Sequence, residues 1–98
     1  MIKKADEPRV DSMKHEFKKL LGKFLTEKIK EFSNQAEAAK VLKVSQPRVS
    51  YLTTGRLDTF SVDSLVSLLH NLGYKMNHHI ADGMIMITFV PTGENNAS

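Results

Sequence analysis

The sequence predicts a mainly α fold: a compact domain of four helices followed by a C-terminal β-hairpin. Three observations carry that expectation. Apolar residues recur at helical spacing from Met13 to Phe32 and again from Val62 to Leu72. Between these stretches, Asn34 and Ser45 each stand where a helix N-cap belongs, ahead of a short amphipathic segment. After Gly73 the period changes, and two β-leaning runs flank Asp82-Gly83, a strong hairpin signal.

Residues 1–11 are polar, contain Pro8 and lack periodicity, so they read as a flexible N-terminal arm. Residues 12–73 read as one helical domain. Its first helix spans residues 12–32, with Met13, Phe17, Leu20, Leu21, Phe24, Leu25, Ile29 and Phe32 on the apolar side. Gly22 weakens its interior slightly. Asn34, with Glu37 three residues on, gives a capping-box pattern for a second helix over residues 35–42. Lys43 and Val44 make a tight break. Ser45 then caps a third helix that runs to Thr53, with Pro47 in the first turn, where a missing N–H costs no intrahelical bond. "TGRLDTF" reads as a loop. Ser61 caps a fourth helix, with Asp63 in the first turn, where the helix dipole favours an anion. Val62, Leu65, Val66, Leu68, Leu69 and Leu72 line its buried side, and Gly73 ends it. Residues 74–91 form the hairpin, the expected dimerisation element, and residues 92–98 a flexible tail.

Ninety-eight residues make one domain with a modest core. The absence of cysteine excludes disulfides, thiolate nucleophiles and Cys-ligated zinc, and fits a reducing cytoplasm. The opening "MIKKADEPRV" lacks the apolar segment of a signal peptide, and the run from Met84 to Val90 is too short to cross a bilayer. A cytoplasmic protein is expected. The formal net charge is +3. Residues 1–34 hold nine Lys/Arg against six Asp/Glu, residues 35–60 four against two, and residues 61–98 one against three. A basic front and an acidic end suit a chain that presents one side to a polyanion. The lysines of "FKKLLGKFLTEKIKEF" themselves read as a solvated helix surface. His78 and His79 point to opposite faces of a strand and do not form a ligand pair. No carboxylate pair, Ser–His arrangement or phosphate loop appears, so no enzyme, metal or cofactor is expected.

The chemistry lies in "QAEAAKVLKVSQPRVSYL", residues 35–52. A helix-turn-helix uses one helix to brace a second, which enters the DNA major groove. Ala39, with Ala38 and Leu42 beside it, supplies the small residue at the helix crossing. Val44 turns inward from the break, and Val49 and Leu52 give the second helix its inward pair. At about 100° per residue, Gln46, Pro47, Ser50, Tyr51 and Thr54 fall on the opposite side, with Arg48 on a flank. Glutamine can bond adenine through two hydrogen bonds, and serine can bond several bases. A flanking arginine suits a phosphate strand. Tyr51 can pack, meet a thymine methyl or reach a phosphate. Gln35 begins the bracing helix, where backbone N–H groups attract phosphate.

The segment "NQAEAAKVLKVSQPRVSYLTTGRLDTFSVDSLVSLL" resembles the phage-repressor-like (Cro/C1, XRE) helix-turn-helix superfamily, in particular its HigA-like antitoxin branch and close stand-alone regulators. The resemblance covers roughly residues 17–73. It rests on the Gln-Ala-x-Ala-Ala start, on Val-Ser-Gln-x-x-Val-Ser, on Gly55-Arg56, and on Phe60-Ser61 before Asp63-x-Leu65. It implies DNA contacts at Gln35, Gln46, Pro47, Arg48, Ser50, Tyr51 and Arg56. One departure is Lys43, where such breaks usually carry glycine; a non-glycine residue in the left-handed conformation costs about 1 kcal/mol or somewhat more. The resemblance further implies a homodimeric repressor of double-stranded operator DNA, and an antitoxin that also neutralises a toxin protein. A stand-alone regulator without a toxin partner and an interaction module with little DNA binding remain open alternatives.

Overall fold

The structure is a computed structural model, and it describes residues 10–93. Its elements are α1 (Val10–Ile29), α2 (Gln35–Leu42), α3 (Gln46–Thr53), α4 (Val62–Asn71), β1 (Tyr74–Ala81) and β2 (Met84–Pro91). A short 3-10 turn, Leu57–Thr59, interrupts the loop between α3 and α4. The expected fold, four helices and a C-terminal antiparallel hairpin, is the fold observed. Of the arm assigned to residues 1–11, residues 1–9 lie outside the described residues, as do residues 94–98 of the tail; Val10 and Asp11 belong to α1.

The core is built from α1, α2, α3 and α4 around Leu21, Leu25, Ile29, Ala38, Ala39, Leu42, Val49, Leu52, Phe60, Leu65, Leu68 and Leu69. Two residues expected on the apolar side of α1 are outside it: Met13 is 58% exposed and Leu20 65%. The buried line runs through Leu21, Leu25 and Ile29, and Leu20 stands about 100° from Leu21 around the helix axis. α1 also ends at Ile29 rather than Phe32. Glu31 and Phe32 donate their N–H groups to the carbonyls of Lys28 and Ile29, both at 3.1 Å, which tightens the last turn into 3-10 geometry. Phe32 still packs against the core from that turn. Gly22 has a reason beyond propensity: a Cβ there would stand 2.7 Å from Cδ2 of Leu57, so the 3-10 turn crosses α1 at this point.

The caps form as expected at Asn34 and Ser45, whose side chains accept from the N–H groups of Glu37 (2.9 Å) and Arg48 (3.4 Å). The Glu37 carboxylate does not reach back; it lies 3.8 Å from Lys40 Nζ. A reciprocal capping box appears instead at α4, where Ser61 and Ser64 each accept from the other's backbone N–H. Asn71 Nδ2 donates to the Leu42 carbonyl at 2.8 Å, supplying a partner to the C-terminal end of α2.

The hairpin turns through Asp82 and Gly83, both at positive φ (54° and 74°), the conformation that matches the twist of the flanking strands. Ala81 pairs with Met84, and the register runs to Tyr74 opposite Pro91. Its base is anchored: Tyr74 meets Phe24 edge to face with ring centroids 5.4 Å apart, and Phe89 packs on the core. Beyond the base, residues 75–88 are exposed on both faces. The hairpin therefore covers the core only at its base, through Tyr74 and Phe89. Eight-residue strands reach about 27 Å, whereas the ten residues of α4, the helix that β1 packs against, span about 15 Å, so the hairpin overruns α4. The elongated outline, 52 × 29 × 17 Å, follows from this overhang.

Candidate nucleic-acid interface

α3 has eight residues, too few to be stable alone, so its placement depends on its neighbours. Val49 and Leu52 bury 100% and 98% of their surface in the core. Ala38 and Ala39 of α2 are buried beneath it, at 0% and 8% exposure, so the close approach of α2 and α3 rests on two small residues. Between the helices Lys43 takes the left-handed conformation, φ 62° and ψ 41°. Its N–H and that of Val44 both go to the Ala39 carbonyl. The turn expected to carry glycine is thus kept with lysine, and Val44 packs inward from it. α3 begins at Gln46, with Pro47 in its first turn.

The seven candidate residues divide by what holds them. Gln46 and Pro47 are exposed at the amino end of α3, and Ser50 is half-buried one turn on. Among the described residues, no side-chain hydrogen bond engages Gln46 or the Ser50 hydroxyl. The other four are tied into the fold. Gln35 Nε2 donates to Thr53 Oγ1 at 3.3 Å, linking the start of α2 to the end of α3. Arg48 Nη1 donates to the Thr59 carbonyl at 2.9 Å, and its guanidinium carbon stands 3.9 Å from the Phe60 ring centroid. The Tyr51 ring packs partly against the core and lies 5.0 Å from the Arg56 guanidinium carbon. The Arg56 N–H donates to the Tyr51 carbonyl at 2.8 Å, which fixes the turn that carries the exposed arginine.

Arg48 is thus a brace as well as a cation. A guanidinium has five N–H donors, and the bond to Thr59 uses one of them. Sequence reasoning missed Thr53 and Thr59 as partners of the site. Thr53 carries no periodic signal, and Thr59 acts through its carbonyl, which no side-chain pattern reveals. Phe60 was visible as an aromatic before the Ser61 cap, but its role as the seat of Arg48 was not.

Gln46, Ser50 and Thr54 line one side of α3, with Arg48 and Arg56 at its margins. A helix of this length, backed by α2 and flanked by two cations, has the size for a major groove and the charge for its margins. His78 and His79 stand opposite Ile87 and Met86 on opposite faces of the hairpin, remote in sequence from this surface. No helix among the described residues is long and apolar enough to cross a membrane.

No curated protein and no solved structure matches the chain. The sequence pattern of a family described as a helix-turn-helix domain matches residues 5–81, which takes in all four helices and β1. The chain belongs to this family of DNA-binding helix-turn-helix domains.

Proposed function

We propose that the protein is a sequence-specific transcriptional repressor that binds a palindromic operator as a symmetric dimer. One observation carries this reading: α3 is locked from below by Val49 and Leu52 while Gln46 and Pro47 stand exposed in its first turn. In helix-turn-helix recognition, the first turns of the second helix meet base edges. Gln46 and Ser50 are the base readers, Arg48 and Arg56 the phosphate contacts, and Gln35, Pro47 and Tyr51 complete the surface.

Within this reading the protein is the antitoxin of a toxin–antitoxin pair that represses its own promoter. Support comes from the HigA-like pattern over residues 34–69. The toxin-facing surface is assigned to the N-terminal arm and α1, where Met13 and Leu20 are exposed apolar residues among the charged side chains of the outer face.

Selection of randomised double-stranded DNA with the full chain tests the repressor reading. It should enrich a palindrome with half-sites about one helical turn apart. Affinity for that site should fall steeply with salt. Weak binding with no enriched sequence would favour the interaction-module alternative. Co-expression with the adjacent gene tests the antitoxin reading, which requires relief of toxicity.

A further inference from the structure

We propose that β2 pairs edge to edge with β2 of a second copy, antiparallel about a twofold at Ile87, to make a four-stranded sheet in the order β1-β2-β2′-β1′. The proposal rests on the repressor reading for its purpose, since operator binding needs a twofold, but its physical grounds lie in the hairpin.

The two strands are unlike. β1 carries Lys75, Asn77, His78 and His79, whereas β2 has no charged residue from Met84 to Val90. The register sorts their side chains onto two faces. One face holds Tyr74, Met76, His78 and Ile80 from β1 with Ile85, Ile87 and Phe89 from β2. On the other, β1 contributes Lys75, Asn77, His79 and Ala81, and β2 contributes Met84, Met86, Thr88 and Val90. The apolar groups of this second face are therefore concentrated along β2. Such a stripe suits a strand in the middle of a sheet. β2–β2′ pairing sets two stripes side by side at the centre and leaves the polar β1 strands outside. Polar and charged edges resist further pairing, and long uncharged edges invite it.

The backbone has matching groups. Bonded and non-bonded pairs alternate along an antiparallel ladder. The Thr92 N–H donates to the Gly73 carbonyl at 2.8 Å, so the even-numbered residues of β2 face β1. The N–H and C=O groups of Ile85, Ile87 and Phe89 then face the open edge. Pro91, without an N–H, ends that row. Centring the pair on Ile87 sets Ile85 opposite Phe89 of the second copy, and Met86 opposite Thr88.

The same register accounts for the overhang. Ile80 and Ile85 at the tip are 73% and 71% exposed, while Phe89 at the base packs on its own core. A twofold perpendicular to the sheet keeps like faces together. The tip of one hairpin then lies beside the base of the other and over its helices.

The full chain is tested without DNA, by sedimentation equilibrium and by oxidative cross-linking, which the lack of native cysteine keeps unambiguous. Ile85→Lys costs the single copy little because the side chain is already exposed. It should raise the dimer dissociation constant roughly a hundredfold or more, with helical circular dichroism unchanged. Ile87→Cys should cross-link, because Cα atoms of a bonded pair lie about 5.5 Å apart, within disulfide reach. His79→Cys on the outer strand should not, because β1 and β1′ are about 14 Å apart. A monomeric wild-type chain, or a dimer that Ile85→Lys leaves intact and Ile87→Cys does not trap, overturns the sheet. Operator binding by a chain that does not cross-link overturns the sheet alone. Cross-linking by a chain that selects no operator supports the sheet and fails the repressor reading.

Discussion

Arg48→Ala should damage stability and DNA binding together, whereas Arg56→Ala should damage DNA binding alone. The difference follows from how each side chain is held. Arg48 donates to the Thr59 carbonyl at 2.9 Å and stacks 3.9 Å above the Phe60 ring, bridging α3 to the segment that leads into α4. A hydrogen bond from a charged donor contributes about 1.5–3 kcal/mol and a cation–π contact about 0.5–1 kcal/mol at exposed sites. Arg48 is half-buried and solvent can replace part of both, so a loss of about 1–2 kcal/mol is expected. In a domain of this size that lowers Tm by roughly 4–16 °C. Arg56 is exposed and stacks on Tyr51 at the longer distance of 5.0 Å, so its removal should cost about 0.5 kcal/mol or less. Each loss should also flatten the dependence of log affinity on log salt by about one unit, if each arginine neutralises one phosphate. Arg48→Lys separates the two roles, because it keeps the charge but lacks the planar fork. Thermal unfolding followed by circular dichroism, beside DNA titrations at several salt concentrations, reads both. An Arg48→Ala chain that melts with the wild type would refute the brace. An unchanged salt slope in both variants would refute the phosphate assignment.

Gln46→Ala should cost about 1–3 kcal/mol on the selected operator and relax its sequence preference, read by competition titration against variant sites. Ala39→Leu should overpack the α2–α3 crossing by about 1–3 kcal/mol, whereas Ala36→Leu, at an exposed position, should cost much less; equal melting temperatures would contradict the packing. Truncation after Asn71 should abolish high-affinity operator binding and leave weak, salt-sensitive binding; full-strength binding by a soluble truncated dimer would move the interface to the helices. Deletion of residues 1–10 should spare operator affinity; if the adjacent gene encodes a toxin, it should also weaken neutralisation, and intact neutralisation would place the toxin surface elsewhere.

The fold was legible because its punctuation is strong. Asn34, Ser45 and Ser61 mark three helix starts, and Asp82-Gly83 admits little but a hairpin. The errors came where periodicity is ambiguous. Leu20 and Leu21 are adjacent, and an apolar count alone does not reveal which one faces inward; the line through Leu25 and Ile29 does. The end of α1 was blurred because Phe32 stays with the core after the helix has tightened. The overhang of the hairpin was hidden for a different reason. Strand length is readable, but the extent of helix beneath it depends on packing. At the site, outward and inward residues of α3 could be sorted by angle, whereas the clamp on Arg48 involves a backbone carbonyl eleven residues away.

That clamp bears on how so short a helix is held in place. Two inward side chains, Val49 and Leu52, are a small grip for a helix proposed to hold its position against DNA. The remaining grip comes from the polar margin. Thr26 Oγ1 donates to the Leu52 carbonyl at 3.1 Å, Gln35 reaches Thr53, and Arg48 reaches Thr59. These bonds draw α3 towards α1, α2 and the segment before α4. On the proposed reading, and Pro47 aside, the candidate contacts are therefore of two kinds. Gln35, Arg48, Tyr51 and Arg56 fix the pose and meet the backbone, which carries little sequence information. Gln46 and Ser50 keep polar side chains clear of those bonds. Substitutions that alter which sequence is bound should then cluster at these two positions, and substitutions that alter how tightly any sequence is bound should cluster at the other four.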